Sequence, residues 1–428
     1  MKREKVWIAV RDSFWLIPTI YGLVSIISVI VVNEIDSWII ESFEGQLPQV
    51  FLTNGDVAKE LYSALVSAIL TMTTISFSVI MVVLTTYSTQ FSPRTLQDFM
   101  RSAATHHILG MYCFGFVFAL LHLILVGRGN MVVGPLAMGL VAMIILAFFV
   151  YFIHHSARWI QVNNLIAKIH MDGSKVITHA YRKPNFLEHA DWDETEISRL
   201  YQTNKRVIRA EKSGYVQKVD WKSLVDWTSS HHCTVEMCVQ IGDFILDGAP
   251  VMRVMGADEQ EKIHILDSYF IIGNERTDLQ DVEFSLQKLV EIALRAISPA
   301  INDPHTAINC INRIGALLSE ASANYKEIYY LSDEHQHLRV IKQPKKYEDY
   351  LYKSFYQIRH YAKDDVSVLY SLIDVLYKVA LVSDETIKRK IWRFHYYILD
   401  VIVWDALSEL DQQYLQSIYQ KFKASFRE

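Results

Sequence analysis

The sequence lacks the short motifs by which many enzyme classes are recognised. It contains no P-loop, no Gly-x-Ser-x-Gly, no His-Glu-x-x-His, no Cys-x-x-Cys and no glycine-rich dinucleotide fingerprint. We therefore predict no catalytic residues, no cofactor and no enzyme activity.

Cysteine is also scarce, and its spacing is uninformative. Cys113, Cys233, Cys238 and Cys310 follow neither a metal-ligand nor a disulfide-framework pattern, so we expect reduced thiols in a cytosol and no metal site. The formal net charge of −5 gives no signal for binding nucleic acid.

Long apolar runs, in contrast, are plentiful. Residues 12–32, 61–89, 108–126 and 132–153 are each predicted to span a membrane, because crossing takes roughly 20 mostly apolar residues. With 51% hydrophobic and 21% charged residues, the chain is too polar for a pure membrane bundle and too apolar for one soluble domain. We expect a membrane domain over residues 1–160 and a large soluble part.

The charged residues between these runs predict a topology. Residues 33–60 are acidic and are expected outside, whereas Arg94 and Arg101 follow the second span, and Arg158 and Lys168 follow the fourth. Because Lys and Arg accumulate on the cytoplasmic side, both termini are predicted to be cytoplasmic.

The second span carries a stripe of hydroxyls. Ser63, Ser67, Thr71, Thr74, Ser78, Thr85 and Thr89 recur at steps of three, four or seven, within a sector of about 80° on a helix. Small hydroxylated residues let helices pack closely, but such a stripe also suits the wall of a water-filled path. In the second case Met81 and Val82, where the stripe lapses, would form a hydrophobic constriction.

Histidines provide a second polar feature. His122 is predicted near the middle of the third span, where an ionisable group is either functional or neutral and hydrogen-bonded to a neighbouring hydroxyl. The pairs at 106–107 and 154–155 fall at span ends, where they could sense pH or simply lie at the interface.

The soluble part is predicted to be α+β. After a helical linker at 161–203, residues 204–272 alternate as short strands resembling the barrel-sandwich hybrid of lipoyl and biotinyl carriers, without the carrier lysine. Residues 273–428 predict a helical domain with amphipathic helices near 304–320, 347–361, 364–382, 386–404 and 408–424.

One polar cluster stands out in the helical domain. Its members are Arg276, Gln280, Asp281, Arg295, Asn302, Asp303 and His305. Thr277 and Gln280 have capping-box spacing, and Asp303 precedes Pro304 as a helix cap would. Two interpretations stay open: helix capping and end pairing, or a ligand or interface site.

Several longer stretches together resemble a bacterial family of predicted membrane proteins, domain of unknown function 2254. They are GNERTDLQD, RAISPAINDPHTA, SFSVIMVVLTTYSTQFSPRTLQDFM and YFIHHSARWIQ, and the resemblance runs from about residue 7 to 410. It implies this architecture and an inner-membrane location, but no established activity.

Two functions are compatible with these features. We predict an oligomeric channel or transport-related protein for a small ion or solute, in contact with membrane lipid and with copies of itself. Its pore-lining candidates are Ser63, Ser67, Thr71, Thr74, Ser78, Val82, Thr85 and Thr89. The alternative is a membrane-anchored sensor or scaffold that binds a cytosolic ligand or partner protein without transport.

Overall fold

The computed structural model describes residues 15–43, 53–90, 99–100, 102–126, 130–131, 133–181, 186–256 and 266–426. The chain divides between residues 162 and 163 into two compact units. Arg94 and Arg101, on which part of the predicted topology rests, lie outside the described residues.

The first unit contains four long apolar helices. They are α1 (Leu16–Ser42), α2 (Gly55–Gln90), α3 (Ala103–Leu125) and α4 (Val133–Ile160). All four are long and apolar enough to cross a membrane, which confirms the prediction of four candidate spans. The 36 residues of α2 make a helix about 54 Å long, well beyond the roughly 30 Å of a hydrocarbon core.

Helix α3 is the centre of this unit. It packs against α1, α2 and α4, and α4 in turn contacts α1 and α2. Gly115 permits the close approach of α3 to α4, since a Cβ there would lie 2.0 Å from Cδ1 of Ile145. The outer faces of the other helices expose large apolar side chains, as expected of surfaces that meet lipid.

The first helix runs ten residues past its predicted end at residue 32. Part of the segment predicted as an acidic outer loop is therefore helical. The reason is Asp36, whose carboxylate is buried and accepts hydrogen bonds from the backbone N–H groups of Val133 and Gly134, at 3.0 and 2.9 Å. This carboxylate satisfies two of the free N–H groups at the start of α4, so a charge within an apolar helix is stabilised.

A two-residue strand β1 (Thr53–Asn54), directly before α2, pairs with β2 (Asn130–Met131), which precedes α4. The second unit opens with α5 (Val162–Ala180) and continues with β3 (Leu187–His189) and α6 (Glu194–Gln202). Its remaining strands are β4 (Lys205–Arg209), β5 (Gly214–Val219), β6 (Thr234–Met237), β7 (Phe244–Ile245), β8 (Pro250–Met255), β9 (Phe270–Gly273), β10 (Tyr330–Ser332) and β11 (Leu338–Ile341). Helix α7 (Trp221–Ser230) and the short α8 (Leu266–Tyr269) interrupt this series.

The strands form two sheets. The larger has the order β3-β10-β11-β6-β8-β4, antiparallel except between β11 and β6, and the smaller has the order β7-β5-β9. One hydrophobic core lies between them, with Val216 and Phe270 from the smaller sheet and Val235, Val254 and Leu331 from the larger. Among the described strands no sheet closes into a barrel, so the barrel form predicted for residues 204–272 is not seen in the part of it that the structure describes.

Three strands of the larger sheet lie where the sequence predicted helices. β3 falls in the predicted linker, and β10 and β11 fall in the predicted helical domain. Each has only three or four residues, too few for a periodic pattern, and each is fixed by pairing with a strand distant in sequence, such as β11 with β6.

The helical part follows prediction more closely. It consists of α9 (Val282–Ala296), α10 (Pro304–Asn324), α11 (Tyr347–Tyr361), α12 (Val366–Val382), α13 (Glu385–Leu399) and α14 (Glu409–Ala424). Helix α10 packs on α9 and α12, and α12 also contacts α13 and α14. The predicted capping box at Thr277 is wrong, because Asp281 caps α9 by accepting from the N–H of Phe284.

Candidate functional site

The hydroxyl stripe lies on the outer face of α2. Ser63, Ser67, Thr71, Thr74, Ser78, Val82, Thr85 and Thr89 are all exposed. The residues of α2 that pack on α3 and α4 include Tyr62, Ile69, Ile80, Val83 and Tyr87, all buried. At 100° per residue, the centres of the two faces are about 190° apart. The stripe therefore faces away from the other described helices of its own unit.

The stripe hydroxyls bond to their own helix. Those of Ser67, Thr71, Thr74, Ser78, Thr85 and Thr89 each donate to the carbonyl four residues earlier, at 2.8 to 3.1 Å. The protons are thus satisfied without a partner helix, while the oxygen lone pairs point outward. This arrangement tolerates an apolar environment and can still accept hydrogen bonds from water or a cation's hydration shell.

A different hydroxyl joins helices within the unit. Ser76 is buried and donates to Oη of Tyr112 on α3, at 3.3 Å. Within the first unit, a hydroxyl that joins two helices is therefore supplied by Ser76, which is not part of the stripe.

Two acidic residues continue the face of the stripe toward the start of α2. Glu60 and Asp56 precede Ser63 by three and seven residues, so both fall within the same sector, and both are exposed. Sequence reasoning missed this continuation, although the steps of three and four residues carry through to these positions. At the lapse in the stripe, Met81 and Val82 are exposed by 62% and 58%.

The predicted cluster of the second unit divides between the two ends of α9, about 22 Å apart. At its start, Nε of Arg276 donates to Oδ2 of Asp281 at 2.7 Å, and its Nη2 donates to Oε1 of Glu283 at 2.9 Å. Glu283 also accepts from Nζ of Lys345 and of Lys353, both at 3.0 Å. The result is a buried charge network that the sequence identified only through Arg276 and Asp281.

The network holds Glu283 ionised. Burial by itself raises the pKa of this carboxyl, but the charge of Lys345 and hydrogen bonds from Arg276, Lys353 and Lys345 outweigh it, so the pKa falls from 4.5 to about 2. The backbone of Gly242 lies against this network with a φ of +90°, and a Cβ there would lie 2.2 Å from Oδ2 of Asp281.

Gln280 has a structural role next to this network. Its Oε1 accepts from the backbone N–H of Val219 at 3.0 Å, and its Nε2 donates to the carbonyl of the same residue at 3.2 Å. Both backbone groups of a strand end are thereby satisfied.

The other end of α9 carries the remaining predicted residues. Asp303 caps α10, accepting from the N–H and Oγ1 of Thr306 at 3.1 and 2.6 Å. These bonds, together with the nearby His305, lower the pKa of the Asp303 carboxyl, although its partial burial acts in the opposite direction. Asn302 precedes it at a φ of 52°, and Arg295 and His305 are exposed. A cavity of about 440 Å³ is lined by Ile297, Asn302, Pro304, Tyr361, Ala362, Asp364, Asp365, Val366 and Ser367.

Among the histidines of the first unit, His122 occupies another place than expected. His122 lies near the end of α3 rather than mid-span, and its Nδ1 bonds to the carbonyl of Phe118 at 2.9 Å rather than to a hydroxyl. Its ring lies 5.4 Å from that of Tyr62. At the other end of the unit, Oη of Tyr21 bonds to Nδ1 of His107 at 3.1 Å, and Oγ of Ser102 bonds to Nε2 of His155 at 3.3 Å.

Comparison with known proteins fits this architecture. The family model described as "Predicted membrane protein (DUF2254)" matches residues 11–378. The chain belongs to this family. It is also similar to uncharacterized proteins of Mycobacterium tuberculosis and Mycobacterium bovis, at 25% identity over 402 residues, covering 89% of this chain and 74% of theirs. No solved structure matches it.

Within the described part of this family member, no group of three or more His, Cys, Asp or Glu side chains is arranged to hold a metal ion. Cys233 and Cys310 are buried, and burial raises the pKa of the Cys310 thiol. The best-developed polar features are therefore the stripe on α2, the charge network at the start of α9 and the residues around His122.

Proposed function

We propose that the protein is a homo-oligomeric channel of the bacterial inner membrane, with α2 helices from several copies around a central pore. The observation that supports this most is the position of the hydroxyl stripe, exposed on the side of α2 opposite to its packing face. A single helix with one polar face cannot enclose water, so a pore requires that face from several copies.

Small ions are the proposed cargo. The stripe offers oxygen acceptors but no charge between Ser63 and Thr89, which suits hydrated ions that pass without tight binding. Asp56 and Glu60 would form a ring of carboxylates at one mouth, and such rings favour cations. Met81 and Val82 would form a constriction that closes by dewetting. The second unit would assemble or regulate the pore from the cytoplasm, where both termini would also lie.

Cross-linking tests the oligomer. In a background without the native cysteines, Ser67→Cys should give disulfide-linked dimers in native membranes, because two copies of the stripe face each other across a narrow axis. Val150→Cys on α4, a position exposed by 62%, is the matched control and should not cross-link. Equal cross-linking of both variants, or none with Ser67→Cys, would contradict this arrangement.

Conductance in reconstituted bilayers tests the pore. Val82→Ser should raise the leak current, and Val150→Ser should not. Val83, the neighbour of Val82, is a poorer control than Val150, since it is fully buried on the packing face and its replacement would also disturb the fold. Asp56→Asn combined with Glu60→Gln should lower the ratio of cation to anion permeability. If Val82→Ser and Val150→Ser behave alike, the stripe is a packing surface between copies.

The alternative is a membrane-anchored sensor or scaffold without transport. It is favoured by the polar cavity of about 440 Å³ between the starts of α10 and α12, which is large enough for a small ligand. This function predicts ligand-dependent stabilisation that Asn302→Ala abolishes, with no conductance from any stripe variant.

A further inference from the structure

A polar group is buried at the end of the first unit where α1 and α3 end and α2 and α4 begin. Each helix contributes one residue: Asp36, Tyr62, His122 and Gly134, in the order α1 to α4. Tyr62 is fully buried, and Asp36 and His122 are each 7% exposed.

Gly134 brings the three side chains together. A Cβ on Gly134 would lie 2.8 Å from Oη of Tyr62, 3.2 Å from Oδ2 of Asp36 and 3.5 Å from Cδ2 of His122. All three therefore surround one backbone position at the start of α4. Because even one carbon at this position would lie within 2.8 Å of Oη of Tyr62, the group leaves little room for a ligand of several atoms.

The hydrogen bonding of His122 defines its chemistry. Its Nδ1 bonds to the carbonyl of Phe118, which can only accept, so the neutral ring carries its proton on Nδ1. Nε2 is then a bare lone pair. Neither this atom nor Oη of Tyr62 has a hydrogen-bond partner among the described residues, and buried polar atoms of this kind are rare in folded proteins.

The charged surroundings are simple. Asp36 is the carboxylate near both rings, Tyr62 faces them from α2, and α4 presents its N-terminal N–H groups, which Asp36 accepts. Glu34 and Glu41 on α1, and Asp56, Lys59 and Glu60 on α2, are exposed at the surface. A cation formed at His122 would therefore have the Asp36 carboxylate as its nearest counter-charge in a medium of low dielectric.

We propose that Asp36, Tyr62 and His122 form a proton-binding site in which His122 Nε2 takes up a proton beside the Asp36 carboxylate. A proton needs no cavity, and the bare Nε2 lone pair accepts it without breaking the bond to Phe118. Because Asp36 also holds the start of α4, uptake alters the charge at the point where α1, α3 and α4 are tied together. The site responds to the pH on that side of the membrane and does not depend on whether α2 lines a pore.

The test uses the full-length protein, labelled with ¹⁵N-histidine, in phosphatidylcholine–phosphatidylglycerol vesicles. Solid-state NMR spectra are recorded between pH 5 and pH 8, and His122→Gln identifies the His122 signals by their loss. In the parent, these signals should change from the neutral form protonated on Nδ1 to the doubly protonated form within this range. Asp36→Asn should remove the change, since the cation loses its counter-charge.

His395 supplies an internal control in the same spectra. It is 2% exposed, its Nδ1 bonds to the carbonyl of Trp392, and its Nε2 likewise lacks a partner among the described residues. Unlike His122, however, it has no described carboxylate beside it. It should stay neutral throughout. If Asp36→Asn fails to fold, Tyr62→Phe keeps the ring and should move the pH midpoint of the His122 change by at least half a unit. A His122 that stays neutral from pH 5 to pH 8, or a midpoint unaltered by these variants, would overturn the proposal.

Discussion

The charge network at the start of α9 allows a quantitative prediction for Glu283. Glu283→Gln keeps the size of the side chain but removes the charge that Arg276, Lys345 and Lys353 share. The pKa of Glu283 is about 2 in the folded protein, against an ordinary 4.5. Each unit of difference corresponds to about 1.4 kcal/mol, so the ionised carboxylate contributes about 3 kcal/mol to stability at neutral pH.

The dependence on pH has a definite sign. Because folding lowers the pKa of Glu283, its contribution is fully present above pH 4.5 and is lost as the pH falls toward 2. The parent should therefore lose stability over this interval, and the part due to Glu283 should be missing from the profile of Glu283→Gln.

Thermal unfolding in detergent, followed by tryptophan fluorescence, measures the effect. For a unit of this size, a loss of about 3 kcal/mol lowers Tm by roughly 6–12 °C. Glu385→Gln is the matched control, since this carboxylate is 77% exposed and pairs with Lys388 at 3.5 Å, an interaction worth under about 1 kcal/mol. If Glu283→Gln melts within 2 °C of the parent at pH 7, the network does not stabilise the fold as argued.

Three further predictions concern other positions. Asp303→Ala should lower the free energy of unfolding by about 1 kcal/mol, because the cap of α10 is lost. Asp364→Ala, at an exposed position, is the control and should melt like the parent. If Asp303→Ala melts normally yet loses a bound ligand, Asp303 belongs to a binding site instead. In urea titrations, Gly242→Ala should lower the free energy of unfolding by more than Gly248→Ala. Both glycines have positive φ, but a Cβ at Gly242 would meet Asp281, whereas a Cβ at Gly248 would meet open space. Similar losses for the two variants would contradict the tight contact with Asp281. Cysteines introduced between residues 34 and 60 should react with an impermeant thiol reagent in intact cells and Cys233 should not, and labelling of Cys233 would exclude the proposed topology.

Local patterns in the sequence were sufficient for much of the fold. The four candidate spans follow from apolar length alone, and α10 begins at Pro304 because Asp303 and Pro304 form a start signal within two residues. The predicted starts of α11 to α14 fall within two residues of the observed ones, since amphipathic periodicity extends over four or more turns. The hydroxyl stripe could also be found from spacing, because residues three and four apart share a helix face.

Tertiary structure decided the features that depend on contacts distant in sequence. Nothing near Asp36 predicts that its carboxylate binds the start of α4, almost a hundred residues later, and the sequence therefore ended α1 too early. β3, β10 and β11 are too short to carry a periodic pattern, and Lys345 and Lys353 reach Glu283 only through packing of α9 and α11. The stripe shows the same division. Its spacing is a local property of α2, but its exposure depends on which face of α2 packs on α3 and α4, because only that packing decides which side chains are buried.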